Sequence, residues 1–372
     1  MNPRERLLAI LTGNRVDRVP LDLKKLGGIN SQITSRRKLE EIEDPGYKEI
    51  ATRVYDKTVN PIKVPSFVNR YLVTPPKFIE TREGREKGEL VLNKEIDTPK
   101  GLLKAKVKRN EESKTTWHVK YPVESLEDIE KIRSIPWSCP EGLSPPENDI
   151  ISQSSDKEIV KTSISSPFVC VAGMMKYEYF LKLCATELEL IKELTELCAE
   201  RILATLDVLF ENDVIEYVWM GGCEWLTPPM GSPKLYEELV QKWERPIIER
   251  IHEGGAFCHI HCHGNVRSTL RKMVERRGDF TEPVEPPPDG DVPFEEAKDI
   301  VDGEMVLGGN IEIRILQNGD ERKVEEAVKA AFEGGKEAMI LTPTESPISR
   351  MDPQMVANYH RLIDVWEELS PF

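Results

Sequence analysis

The sequence predicts an α/β protein whose core is a (β/α)8 TIM barrel, and three observations lead there. From residue 158 onward, short apolar segments alternate with helical ones in a regular strand–helix rhythm. That rhythm supplies six strands, and two earlier segments bring the count to eight. No strand is followed by a G-x-G-x-x-G or G-x-x-x-x-G-K loop, which an open nucleotide-binding sheet would carry. A chain of 372 residues suits one such barrel with an insertion, so a single domain over 1–372 is expected.

The elements follow in order. Asn2, Pro3 and Glu5 form a helix start, with an N-cap, a proline in the first turn and a glutamate able to reach back. Leu7, Leu8, Ile10 and Leu11 give that helix one apolar face, and Gly13 closes it. "RVPLDL" (18–23) reads as the first strand, and another is expected near 60–73. Over about 60–125, apolar and polar residues alternate around the turn signals Pro99-Lys100-Gly101 and Asn110-Glu111. This stretch is expected to be an antiparallel β-meander inserted into the N-terminal part of the barrel. "SCPEGLSPPENDI" (138–150) reads as a proline-rich loop. The remaining strands are expected at 159–164, 215–220, 256–261, 280–285, 305–309 and 338–342, with helices such as Ser232 to His252 and Asp320 to Phe332 between them.

Composition narrows the function. A net charge of −14 argues against nucleic acid or an anionic membrane as the main partner. The first residues form a charged amphipathic helix rather than an apolar leader, and no stretch reaches the roughly 18 apolar residues of a membrane span. A cytoplasmic protein is expected. The seven cysteines are odd in number and show no C-x-x-C spacing, so a disulfide framework is not expected.

The richest segment is "CHIHCHG" (258–264), with three of the six histidines. In a strand, alternate residues share a face, so His259, His261 and His263 point one way while Cys258 and Cys262 point to the core. His261 and His263 fall at the carboxyl end, where barrel enzymes place their chemistry. His259 lies one layer deeper, as a packed or supporting residue. Other strand ends contribute Glu224, Glu285, Asp291, Asn310, Glu312 and Glu345. Two imidazoles with distant carboxylates match a zinc ligand set with one position open. Competing readings stand beside this: Glu224 could pair with a buried arginine, and Glu285 could cap the helix near Val292. Trp219 and Trp225 read as packing residues.

At this point the sequence resembles a known family. "MNPRERLLAILTGNRVDRVPLDL", "EIDTPKGLLKAKVK", "HCHGNVRSTLRKMV", "GGNIEIRIL" and "ILTPTESPI" are similar to the uroporphyrinogen decarboxylase superfamily over essentially the whole chain, whose fold is a (β/α)8 barrel. True decarboxylases carry an arginine-rich segment after the first strand; here the stretch reads "KKLGGINSQITSRRK". The other branch, corrinoid-dependent methyltransferases, has a zinc site resembling H-x-C-G-N on one strand with a cysteine near the last. His261 matches the first ligand, His263 stands where the cysteine would be, and Glu345 falls near the final cysteine; Glu285 fits a glutamate that related zinc methyltransferases place one strand later.

The resemblance therefore implies metal ligands His261, His263, Glu285 and Glu345; beside them, Glu224 is expected to orient the substrate or serve as a further ligand, and Asn310 and Asp291 to supply polar positioning. It implies Zn2+ and a cobalamin carried by a corrinoid partner protein, since no D-x-H-x-x-G corrin-binding pattern occurs here. Imidazole and carboxylate in place of thiolate leave zinc a harder Lewis acid, suited to an oxygen leaving group. The expected activity is methyl transfer from a small methylated donor, an O-methyl ether such as a methoxylated arene, to cob(I)alamin. A decarboxylase-like lyase acting on a carboxylated substrate is the alternative. A second copy of the chain is a further candidate partner.

Overall fold

The computed structural model describes residues 1–110, 116–140, 143, 156–211, 215–347 and 349–372. Its centre is a curled parallel sheet of β1 (Asn60–Val64), β6 (Glu158–Ser165), β7 (Tyr217–Gly221), β8 (Phe257–His261), β9 (Phe280–Glu282), β10 (Val306–Ile311) and β11 (Met339–Pro343), hydrogen-bonded in that order. A separate antiparallel sheet holds β2 (Ile79–Glu86), β3 (Glu89–Ile96), β4 (Leu103–Arg109) and β5 (Thr116–Lys120). Strands that follow one another and pair in parallel need a crossover between them, and helices supply most of these.

The expected eight strands are present in part. Seven form the ladder, and "RVPLDL" lies beside β11 through a single parallel bridge, Leu21 to Leu341. Asp22 N–H donates to the Leu341 carbonyl at 3.0 Å and Leu341 N–H to the Pro20 carbonyl at 2.9 Å. The pairing stops there for local reasons. Pro20 has no N–H to give, and Lys24 takes a positive φ of 56° and opens a 3-10 turn over Lys24–Leu26.

Two boundaries differ from the sequence reading. The antiparallel meander begins at Ile79, because Asn60–Val64 belongs to the parallel sheet. The strand expected over 280–285 ends at Glu282, since Pro283 cannot donate to the ladder. The proline-rich loop at 138–150 falls mostly outside the described residues, as does Glu111 of one turn signal. The first helix, Pro3–Leu11, forms as its sequence dictates: Asn2 Oδ1 accepts from Glu5 N–H at 2.7 Å and Glu5 Oε2 accepts from Asn2 N–H at 3.0 Å. Among the described residues, no helix is long and apolar enough to cross a membrane.

The histidine strand is held from behind by a buried ion pair. The helices Lys242–Glu253 and Arg267–Glu275 precede and follow β8, and Arg276 Nε meets Glu244 Oε2 at 3.0 Å with both side chains fully buried. The Arg276 guanidinium also donates to Tyr236 Oη at 3.0 Å and Gln241 Oε1 at 2.9 Å. Removing one partner strands a charge in the interior, whereas replacing both with apolar residues does not. Glu244→Ala is therefore expected to cost about 3–5 kcal/mol in denaturant unfolding, and Glu244→Leu/Arg276→Met clearly less. A double variant no more stable than Glu244→Ala would show that the ion pair is not the source of the loss.

Candidate metal centre

The parallel register fixes what surrounds the histidines. His261 pairs with Gly221 on one side and with Glu282 on the other, and His259 pairs with Trp219 and Phe280. Glu282 therefore stands directly beside His261 across the ladder. Space for it comes from β10: a Cβ at Gly308 would lie 2.5 Å from Glu282 Cβ and 2.8 Å from the Phe280 ring. The "GG" of "GGNIE" is thus explained by close approach rather than by a turn.

Two clusters result, one inner and one outer. In the inner cluster, His261 Nδ1 lies 2.8 Å from Glu282 Oε1, and the Lys24 ammonium contacts Glu282 Oε2. His259 Nε2 is 3.0 Å from the same Oε1 but poorly aligned, so neither ring nitrogen of this buried imidazole has a hydrogen bond among the described residues. His259, His261 and Glu282 each offer a donor atom within 4.8 Å of the others, a group compact enough to hold a metal ion. Burial, then the charges of neighbouring lysines, pushes His259 well below the ordinary histidine value. His261 shifts the same way through burial and then His263. The shift favours the neutral imidazole in both, the form that ligates metal.

The inner cluster rests on a buried charge network. Lys24 N–H donates to Asp22 Oδ1 at 2.7 Å, and Asn30 Nδ2 to Asp22 Oδ2 at 2.9 Å. Lys161 Nζ, reaching across from β6, donates to the Ile29 carbonyl at 3.0 Å and to Asn30 Oδ1 at 2.8 Å. Burial lowers the Lys24 ammonium to about 8 and that of Lys161 to about 7.

In the outer cluster, His263 Nδ1 lies 3.1 Å from Glu285 Oε1, and Gly264 N–H donates to Glu285 Oε2 at 2.6 Å. His263 Nε2 is 3.9 Å from Glu345 Oε2, while Ser346 N–H donates to Glu345 Oε1 at 2.6 Å. Burial opposes the Glu285 charge, but the hydrogen bond and charge of His263 prevail and lower its carboxyl. The His261 and His263 rings meet edge to face at 4.7 Å, so the clusters share a border. Trp219 leans on His261, with centroids 5.0 Å apart.

The residues expected from the sequence are distributed between these clusters and beyond them. His263, Glu285 and Glu345 gather in the outer one, and His261 turns its Nδ1 to Glu282. Glu224 Oε2 accepts from Gly222 N–H at 3.0 Å; burial raises its carboxyl despite nearby His263 and Arg70. Asn310 makes no hydrogen bond among the described residues through its side chain, and Glu312 lies 3.5 Å from Arg314. Asp291 serves elsewhere: its carboxylate accepts from Arg267 N–H at 2.9 Å and its carbonyl from the Arg267 guanidinium at 2.6 Å. Glu285 does not cap the helix Phe294–Val301, whose N-cap is Pro293. Cys258 and Cys262 are buried, and all seven cysteines are free.

Glu282 and Lys24 were not foreseen. Glu282 lay inside a segment read as a longer strand ending at Glu285. A usable signal was Pro283, which marks Glu282 as the true strand end. Lys24 follows "VPLDL" directly, and nothing in the local sequence sets it apart from Lys25 beside it.

A family model described as Uroporphyrinogen decarboxylase (URO-D) matches residues 105–358. Among solved structures, a methyltransferase from Methanosarcina mazei superposes with a TM-score of 0.62 at 14% identity, covering 99% of this chain and 99% of that one. This is a likeness of fold. A B12-independent methionine synthase from Shewanella sp. W3-18-1, in complex with selenomethionine, gives a TM-score of 0.41 at 10% identity over 82% of this chain and 78% of its own. No curated protein matches the chain.

Glu224 allows a test of the site's electrostatics. Its folded-state pKa is raised, so its stabilising contribution is complete below the unfolded value of about 4.3 and is lost as pH rises through the folded value. Glu224→Gln should therefore melt higher than the unaltered protein at about pH 7.5, with the gap shrinking towards about pH 4. A gap that widens on acidification would contradict the burial of this carboxyl.

Proposed function

We propose that this chain, which belongs to the uroporphyrinogen decarboxylase (URO-D) family, moves a methyl group from a small O-methyl ether to the cob(I)alamin of a separate corrinoid protein. The methoxylated arenes are the donor class we favour, and zinc the metal. One observation carries the reading. His261 and His263 each have Nδ1 engaged by a carboxylate, Glu282 and Glu285 respectively, which leaves both Nε2 atoms as lone-pair donors.

In this reading the metal is held by His261, His263 and Glu345, whose donor atoms, unlike those of the inner group, must draw closer together to share one ion. Glu282 and Glu285 orient the two rings, so Glu285 acts as a support rather than a ligand. The inner group of His259, His261 and Glu282 fits less well, because Lys24 already sets a positive charge against Glu282. It is also almost closed: the His259 side chain is 0% exposed and that of Glu282 1%, against 30% for His263 and 48% for Glu345. A catalytic metal needs an open position, and of the two clusters the outer one is the more exposed. When bound, zinc would supply Lewis acidity towards the ether oxygen.

The chain's own residues do the rest. Burial favours the protonated Glu224 carboxyl, which can donate a hydrogen bond to a substrate oxygen. The Asn310 amide, without a side-chain hydrogen bond among the described residues, would meet the substrate. Asp291 accepts from the first N–H of the helix that follows β8 and so steadies the start of that helix. The methyltransferase from Methanosarcina mazei, which shares the fold, supports methyl transfer as the reaction class. The second reading, a decarboxylase-type lyase, draws on Lys24, a buried cation near the reacting end.

Elemental analysis should find about one zinc per chain, lost in His261→Ala and in His263→Ala. Glu282→Gln should keep the metal with affinity weakened about 10–100-fold, as expected when a supporting carboxylate is removed. Full retention in the His261→Ala/His263→Ala protein would sink the assignment. With a reduced corrinoid protein and a methoxyarene, free phenol and methylcobalamin should appear together. Carbon dioxide from a carboxylated substrate, with no methylcobalamin from any ether, would transfer the assignment to the lyase.

A further inference from the structure

Glu345 stands on the loop after β11, and two other parts of the chain hold that loop. On its near side, Thr344 N–H donates to the Ile311 carbonyl at 2.9 Å, and Thr344 Oγ1 accepts from Ile313 N–H at 3.1 Å, which ties it to the end of β10. On its far side, the helix Pro45–Val54 takes hold. Tyr47 Oη donates at 2.5 Å to the carbonyl of Pro347, just beyond Ser346. Asp44, the N-cap of that helix, accepts from Tyr47 N–H through Oδ1 at 3.0 Å and from Met351 N–H through Oδ2 at 3.4 Å. One carboxylate thus fixes both the tyrosine and the far end of the loop that the tyrosine holds.

The helix and the loop are close-packed. A Cβ at Gly46 would lie 2.7 Å from Val356 Cγ2 and 2.8 Å from Met351 Cβ, so a glycine lets the start of the helix come this near. Burial, then the charges of Asp44 and Glu345, pushes the Tyr47 hydroxyl up to about 12. It therefore keeps its proton and remains a donor at neutral pH. Glu345 itself is less firmly held. Its Oε1 accepts from Ser346 N–H at 2.6 Å, and its exposed Oε2 end stops 3.9 Å from His263 Nε2.

We propose that Tyr47 is a positioning residue of the metal centre: by holding the Pro347 carbonyl, it keeps the Glu345 backbone where the carboxylate can close on an ion bound by His261 and His263. This rests on the proposed ligand set, but not on the methyl donor or its acceptor. Between the anchors at Thr344 and Pro347 only Glu345 and Ser346 are left to adjust, so closing the carboxylate orders little further chain. Without the Tyr47 hydroxyl the next anchor is Met351, and ordering the longer segment is charged to metal binding.

Zinc titration of the full chain against a competing chelator reads this without catalysis. Tyr47→Phe, which removes only the hydroxyl, should weaken zinc about tenfold, in the range of a lost supporting hydrogen bond. Glu345→Gln should weaken it further. The Tyr47→Phe/Glu345→Gln protein should bind no more weakly than Glu345→Gln, because a loop that carries no ligand has nothing left to position. In the Co2+-loaded protein, Tyr47→Phe should move the visible bands towards those of Glu345→Gln, a signature that a loss of stability alone would not produce. Zinc held by Tyr47→Phe as tightly as by the unaltered chain overturns the proposal. So does a double variant weaker than Glu345→Gln by the full Tyr47→Phe factor, which would place the effect outside the carboxylate. Failure of the ligand reading looks different. Zinc binding that is absent, or insensitive to Glu345→Gln, removes the ligand set and this role together, whereas zinc weakened by Glu345→Gln and untouched by Tyr47→Phe removes the role of Tyr47 alone.

Discussion

A carboxyl group with 1% of its side chain exposed must be met by donors, and Glu282 is met by Lys24 and His261, with His259 close by but poorly aligned. Lys24 arrives from the turn after the first segment, His261 from the neighbouring strand and His259 from one layer below. Each partner carries a further demand. Lys24 needs Asp22, Asp22 needs Asn30, and Asn30 holds Lys161 from the far side of the sheet. One buried acid therefore ties the segment before β1 to β6, β8 and β9. The interior of this curled sheet is polar where an ordinary barrel would be filled with branched aliphatics. Such a network is costly to half-satisfy, so its members stand or fall together.

From that anchor the geometry propagates outward by the two-residue period of β8. Glu282 fixes the His261 ring, and His263 continues the same face just beyond the strand. There Glu285 repeats what Glu282 does below: a carboxylate on Nδ1, with Gly264 N–H steadying its second oxygen. The repeat creates two imidazoles presented in the same sense, one partly buried and one half-open. A relation of this kind, a carboxylate behind each histidine, fixes tautomer and orientation before any ligand arrives.

Much of this was legible in the sequence, for reasons that differ by element. The parallel strands after residue 158 were readable because apolar runs and helical periods alternate, and the meander because its polar and apolar residues alternate. The shared face of His259, His261 and His263 followed from strand geometry alone. The register between strands did not, because nothing local says which residue of β9 stands beside His261. That is why Glu282 escaped the sequence reading. Lys24 was hidden for a similar reason: its significance depends on Glu282, which lies more than 250 residues away. The first strand was recognised by its pattern, but the pattern could not disclose that Pro20 and the turn at Lys24 reduce it to a bridge.

The donor types also constrain what chemistry the outer cluster can favour. Imidazole and carboxylate are harder than thiolate, and they leave a bound dication more of its charge. A thiol substrate would gain little from such an ion, whereas an oxygen that develops negative charge as its methyl group departs gains most when that charge is largest. Lys24 lies beneath the site, where it offsets the Glu282 charge without occupying the open side. Glu224 works differently, as a buried carboxyl that, while protonated, can donate a hydrogen bond without bringing a negative charge against the leaving oxygen. The acidic residues around the mouth therefore do not cancel the site's positive character. Glu282 is neutralised by Lys24, Glu285 is engaged by His263 and Gly264, and burial favours protonation of Glu224. On the proposed reading, Glu345 is the carboxylate left to balance the metal, and the potential that remains favours an anionic leaving group.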